Sequence, residues 1–173
     1  MIRIDNNMKK YPLDAVDIRI LSVVQQHGQV SKSQLSELVN LSPTPCWLRL
    51  TKLKKAGLIT GYRGLVAVDK AVDLTTVFVS IALKEHRNSD FERFRKHIQS
   101  VEEIVECFGI GGGTDYLLKV VTCSLPDFQT LIGQLLDEEI GIDRYYVYVV
   151  ISEVKSEPLS LSQLMKMKSR ADL

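Results

Sequence analysis

Two hydrophobic periods divide the chain, a helical one up to about residue 56 and an alternating one beyond about residue 75. From Leu13 to Gln26, Val16, Ile20, Leu21 and Val24 recur at helical spacing, with Asp14 placed to favour the N-terminal end of the helix dipole. Gly28 stops this helix. Ser31 opens a second one, with Gln34 in capping-box position and Leu35, Leu38 and Val39 as its expected buried stripe. Asn40 and Leu41 make a turn, and Ser42-Pro43 begins a third helix with a hydroxyl cap followed by a proline that needs no N–H there. Lys54, Lys55 and Gly57 end it.

The third helix has two unlike sides. Cys46, Leu50 and Leu53 share the face expected to pack on the other two helices, whereas Thr44, Leu48, Thr51, Lys52 and Lys55 share the opposite one, with Arg49 on its flank. A side that combines hydroxyls, cations and one apolar side chain suits a helix lying in the DNA major groove: lysine and arginine neutralise phosphates, and Leu48 offers a partner for a thymine methyl. A solvated face on an ordinary three-helix domain would read the same way. The continuation favours the DNA reading, because residues 59–67 hold two β-prone stretches around glycines, expected to form a hairpin wing that carries Arg63 to a phosphate.

Beyond the short connection 69–74 the pattern alternates. Thr75 to Lys84 reads as a strand, Ser89 to Gln99 as a helix capped by Ser89 or Asp90, and Ile104 to Ile110 and Asp115 to Val121 as two strands. A helix with Phe128, Leu131, Ile132, Leu135 and Leu136 on its inner stripe follows, then a strand from Asp143 to Ser152. The order β-α-β-β-α-β is the ferredoxin-like motif, so the whole chain is expected to be an α+β protein, a winged helix-turn-helix followed by a ferredoxin-like domain. Both helices of that motif cover one sheet face, yet the last strand is apolar on both sides, with Tyr145, Val147, Val149 and Ile151 on one and Tyr146, Tyr148 and Val150 on the other. A second subunit covering the bare face is the expected remedy, and fold-back of the N-terminal domain is the alternative.

Charge sharpens this division. The net charge is only +1, but residues 1–67 hold ten basic and four acidic side chains, leaving twelve basic and seventeen acidic for the remainder. A front part at +6 beside a back part at −5 points to polyanion binding at one end and a different task at the other. Hydrophobic residues at 45% and charged residues at 25% suit a globular protein. No apolar run approaches the roughly 20 residues of a membrane span, and the first residues lack the apolar core of a secretory signal, so a cytoplasmic location is expected. Cys46, Cys107 and Cys123 are odd in number and far apart; they read as small buried hydrophobes, not as a disulfide framework or zinc site.

The stretch Gly109-Ile110-Gly111-Gly112-Gly113-Thr114-Asp115-Tyr116 has the most unusual composition. It is not a dinucleotide fingerprint, because a strand and not a helix follows it. A tight hairpin is the structural reading, but three consecutive glycines exceed its needs. Their exposed N–H groups suit a carboxylate and Asp115 suits an ammonium, so Gly112, Gly113, Thr114 and Asp115 together suit an amino acid or similar zwitterion.

LSPTPCWLRLTKLKKAGLITGY, with LDAVDIRIL upstream, resembles the helix-turn-helix signature of the Lrp/AsnC family of transcriptional regulators, and the similarity runs through most of the chain. The resemblance implies a DNA-binding regulator with a ferredoxin-like domain of the RAM or ACT kind and dimers that assemble further. No cofactor is expected. It assigns DNA contact to the region from Lys32 to Thr51, notably Ser42, Thr44, Arg49 and Lys52, and small effectors to the loop before Asp115-Tyr116-Leu117-Leu118, between subunits. The sequence departs from the family at Trp47 and Leu48, and at Gly113 and Thr114, where many relatives carry an acid and an aromatic or small residue.

The expected organisation is an N-terminal arm (1–12), a winged helix-turn-helix domain with its linker (13–74, helix-turn-helix about 32–51 and wing about 59–67), an effector-binding and oligomerising domain (75–156) and a tail (157–173). The expected DNA contacts are Lys32, Ser42, Thr44, Leu48, Arg49, Thr51, Lys52, Lys55 and Arg63; the expected effector contacts are Gly112, Gly113, Thr114 and Asp115. The partners are double-stranded DNA, an amino acid or related metabolite, and a second copy of the chain. An enzyme of ferredoxin-like fold is the rival, but His27, His86 and His97 lie on separate elements, and Glu102, Glu103 and Glu106 read as solvated charges, so no catalytic or metal residues are assigned. A metabolite-binding regulatory module without DNA is a second rival, and the basic front part speaks against it.

Overall fold

The computed structural model describes residues 11–171, with side chains through residue 167. Residues 1–10 of the expected arm lie outside the described residues. The chain divides into two compact units, one from residues 11–66 together with 155–171, the other Ala67–Val154.

Three helices build the first unit: α1 (Ala15–His27), α2 (Lys32–Val39) and α3 (Pro43–Lys55). Asp14 is the N-cap of α1; its carboxylate accepts from the N–H groups of Val16 at 2.9 Å and Asp17 at 2.8 Å, while the Asp17 carboxylate accepts from the Asp14 N–H at 3.3 Å. The Ser31–Gln34 capping box expected for α2 is present. That helix ends in a Schellman turn on Asn40, at φ 56°, with the Leu41 N–H donating to the Ser36 carbonyl. An equivalent turn on Gly57, at φ 73°, ends α3, where the Leu58 N–H donates to the Leu53 carbonyl. Ile20, Leu35, Val39, Cys46, Leu50 and Leu53 form a core between the helices.

Leu38 does not join that core and is half exposed. The buried arc of α2 runs through Leu35, Val39 and Ser36, and at 100° per residue Leu38 falls about 110° from its centre. Ser36 takes the inward place, its hydroxyl donating to the Ser33 carbonyl at 2.7 Å. The expected hairpin wing also needs correction: residues 59–67 carry no strand. Ile59 and Tyr62 pack against the helical core, Leu65 is fully and Val66 largely exposed, and an isolated two-stranded ribbon without a packed face is marginal in water. The segment is extended but unpaired.

The tail returns to this unit as α6 (Leu161–Ala171). Gln25 of α1 clamps its entry: the side-chain N–H donates to the Leu159 carbonyl, and the side-chain oxygen accepts the Leu161 N–H at 3.1 Å. Leu161 packs against the core.

The second unit runs β1 (Thr75–Leu83), α4 (Asn88–Ile98), β2 (Ile104–Gly109), β3 (Tyr116–Thr122), α5 (Leu125–Asp137) and β4 (Ile142–Val149). Its sheet order β2-β3-β1-β4, antiparallel throughout, is the ferredoxin-like topology expected from the sequence. Val77, Val79, Ile81, Leu83, Leu118 and Val120 face the helices and pack on Phe94, Ile98, Phe128, Leu131 and Leu135. The cap of α4 is Arg87, not Ser89 or Asp90, and makes no side-chain cap bond. Asp90 lies inside the first turn and pairs with Arg93 at 3.0 Å. Leu136, at the edge of the inner stripe of α5, is half exposed. Of the cysteines only Cys46 is buried; Cys107, on the edge strand β2, and Cys123, just after β3, are exposed.

The edge strand β4 is exposed along its length from Asp143 onward. Tyr146 and Tyr148 lie on the sheet face away from the helices, beside Ser80 and Phe78 of β1, and are about half exposed. Tyr145, Val147 and Val149 point to the helical side, yet they too remain exposed.

Candidate DNA-binding face and effector loop

Proline at the first position of α3 and the Schellman turn at its end fix the length of this helix, and the burial of Cys46, Leu50 and Leu53 fixes its rotation. Burial also raises the Cys46 thiol pKa, consistent with a structural role. With that face inward, Thr44, Leu48, Lys52 and Lys55 are exposed together, Leu48 at 65%. Thr51 is half-buried and donates its hydroxyl to the Trp47 carbonyl at 2.9 Å. Ser42 is exposed and makes no side-chain cap bond, which leaves its hydroxyl available at the helix start. Lys32 stands at the first residue of α2 and Arg63 on the extended segment, both exposed and both on elements other than α3.

Arg49 is drawn elsewhere. Its guanidinium bridges the carboxylates of Asp14 and, at 2.9 Å, Asp17, so it ties α3 to the capped start of α1. The Asp17 N–H first, and Arg49 second, hold the Asp14 carboxyl below the usual carboxylate range, while the two acids push Arg49 up. Lys54, which sequence reasoning treated only as part of a helix end, has its ammonium 5.0 Å from the centre of the Tyr62 ring and 5.9 Å from that of Trp47. The seven-residue spacing from Trp47 to Lys54, two helical turns, was the available signal. The stack holds the extended segment against α3.

In the second unit, the loop between β2 and β3 is closed by the Ile110 N–H donating to the Asp115 carbonyl at 2.9 Å. Only Gly112, at φ 134°, needs glycine for its backbone angle; a Cβ on Gly111 or Gly113 would meet nothing within 4 Å. Among the described residues no partner accepts from the backbone N–H groups of Gly112, Gly113 and Thr114. The glycines are therefore not demanded by the packing of the chain on itself, and they leave backbone donors uncovered.

Asp115 is engaged at every polar atom. Its N–H donates to the Ile81 carbonyl at 2.8 Å, and its Oδ2 accepts the Leu83 N–H at 2.8 Å, where the β1–β3 ladder has ended. Its Oδ1 lies 3.2 Å from Nε2 of His86. No sequence motif links His86 to this loop; the fold brings it there from the connection between β1 and α4. Tyr116, next in the chain, is buried against Phe94, and that burial is the first cause of its raised phenol pKa. Among the described residues no group of three or more His, Cys, Asp or Glu side chains is arranged to hold a metal.

Comparison with known proteins agrees with both units. Residues 13–60 match the winged helix-turn-helix DNA-binding family, and residues 76–160 match the Lrp/AsnC ligand binding domain. The transcriptional regulatory protein DoeX of Halomonas elongata is 40% identical over 150 residues, covering 87% of this chain and 95% of its own. The leucine-responsive regulatory protein of Escherichia coli K12 is 38% identical over 150 residues, covering 85% and 92%. Among solved structures, a Neisseria meningitidis transcriptional regulator in complex with L-methionine superposes with a TM-score of 0.81 at 30% identity, covering 88% of this chain and 99% of its own.

A DNA-reading helix-turn-helix unit joined to a ligand-binding unit defines a DNA-binding transcriptional regulator. The chain belongs to the Lrp/AsnC family.

Proposed function

We propose that the exposed face of α3 reads operator DNA and that a small zwitterion, an amino acid or close relative, binds at the glycine loop and changes operator affinity. The observation that carries the DNA part is the free, outward set Thr44, Leu48, Lys52 and Lys55 on a helix whose opposite side is locked in the core. Ser42, Lys32, Thr51 and Arg63 supply flanking contacts, and Arg49 acts chiefly by fixing α3 against α1. On the effector side, the unpartnered N–H groups of Gly112, Gly113 and Thr114 suit a carboxylate, and Asp115 suits an ammonium. The L-methionine complex of the Neisseria relative supports an amino acid as the ligand class.

A second copy of the chain covers the exposed β4 face, because Tyr146 and Tyr148 form an apolar, hydroxyl-tipped patch that a lone subunit leaves in water. Such a dimer presents two α3 helices to two half-sites, and it can assemble further. The chain then acts in the compartment that holds the DNA, the cytoplasm. An effector alters operator affinity only if it favours one arrangement of these helices over another.

The test is a mobility-shift titration on the DNA upstream of the chain's own gene, with and without a panel of amino acids, alongside sedimentation of the free protein. A retarded complex whose midpoint moves with one or more amino acids, formed by a dimer or larger species, is the expected result. A monomer that leaves duplex DNA unshifted at low salt would contradict the proposal.

A further inference from the structure

His86 stands where an effector's positive end is expected. Its imidazole Nε2 is 3.2 Å from Asp115 Oδ1, while Asp115 Oδ2 is already held by the Leu83 N–H. Each carboxylate oxygen therefore has a neighbour from its own chain, and of the two only His86 can leave without opening the sheet. The Leu83 bond belongs to the end of β1. The His86 side chain is 62% exposed, and its ring lies tilted beside that of Phe91, with centroids 5.9 Å apart. On the same connection, Glu85 and Arg87 flank it and face each other at 3.9 Å; Asp115, just before β3, faces it.

We infer that His86 is a built-in occupant of the ammonium position at Asp115, so that an effector's ammonium takes Oδ1 from the imidazole. This rests on the reading of the glycine loop as the effector site. An imidazole beside a carboxylate oxygen can offer it one donor at most, whereas an ammonium brings three donors and a full charge. The exchange is favourable only when the ligand gains elsewhere too, and the free N–H groups of Gly112, Gly113 and Thr114 provide that second gain for a carboxylate. His86 thus sets a threshold that zwitterions pass and simple amines or simple acids do not. Because the Leu83 bond persists, the carboxylate stays fixed for whichever donor takes Oδ1.

The full-length protein and its His86→Ala variant, with melting curves to establish that both are folded, are titrated calorimetrically with leucine, methionine and 4-methylpentanoate, which is leucine without its amino group. Loss of the competing His86 contact should tighten amino-acid binding about three- to tenfold and leave 4-methylpentanoate unchanged. Equal or weaker amino-acid binding by the variant overturns the inference while the effector reading stands, and so does an equal gain for the acid, which would mean general loosening of the loop. No amino-acid binding by either protein removes the effector reading itself. Without any ligand, carbodiimide labelling of Asp115, read by peptide mass spectrometry, should run faster in the variant; equal rates would show that His86 does not cover the carboxylate and overturn the inference directly.

Discussion

The two candidate sites are built in opposite ways. On α3 the side chains that face outward have few partners of their own, whereas at the glycine loop the one charged side chain is held on both oxygens by the surrounding chain. A surface meant for a polyanion can stay open, because water and counterions satisfy lysine until phosphates replace them. A small-molecule site gains selectivity when its charged group already has a neighbour, because a ligand must then outcompete an internal partner. Arg49 and Asp115 mark the boundary between the two designs: both are charged, both are suggestive in the sequence, and both are committed to their own unit.

Several substitutions sharpen this contrast. The largest effect on stability is expected at Asp115, where replacement by Ala strands the Leu83 N–H and should cost about 2 kcal/mol, seen as a lower midpoint in urea; Asp115→Asn, which keeps an acceptor, should cost less. Equal losses would mean that the charge, not the acceptor, holds the end of β1. Next, Gln25→Ala releases two hydrogen bonds to the start of α6, and about 1 kcal/mol should be lost from the helical unit. Its thermal unfolding would report this, and an unchanged curve would show that Leu161 alone docks the tail.

The smallest effect is one of pH. Asp14 is held below its ordinary range in the folded state, so its contribution is present above the unfolded carboxylate pKa of about 4 and is lost as pH falls through the lower folded value. The helical unit of the wild type should therefore weaken more steeply below about pH 4 than that of Asp14→Asn; parallel acid profiles would show that neither the Asp17 N–H nor Arg49 holds the carboxyl down in solution.

Local pattern made the scaffold legible, and long-range contacts hid the rest. The Ser31–Gln34 box, Pro43, and the Cys46, Leu50 and Leu53 face could be read along the chain because each is settled within one or two helical turns. The commitment of Arg49 could not, since Asp14 and Asp17 come from more than thirty residues upstream. His86 was equally hidden: its approach to Asp115 follows from the pairing of β1 with β3, which periodicity does not specify. Leu38 was misread because two apolar neighbours suggested a wider stripe than an eight-residue helix buries. The pairing expected within residues 59–67 is absent for another reason, as the β-prone residues around Gly61 and Gly64 form no ladder while Ile59 and Tyr62 pack on the helical core.

The contrast between an open face and an occupied loop is tested most directly by the salt dependence of duplex binding, measured by fluorescence anisotropy for the wild type and the double variant Lys52→Ala/Lys55→Ala. If these ammonium groups sit on phosphates, log affinity falls steeply with log salt, and the double variant loses about two units of that slope with its melting curve unchanged. Identical slopes for the two proteins would contradict the account, because the cations of α3 would then be ordinary solvated charges.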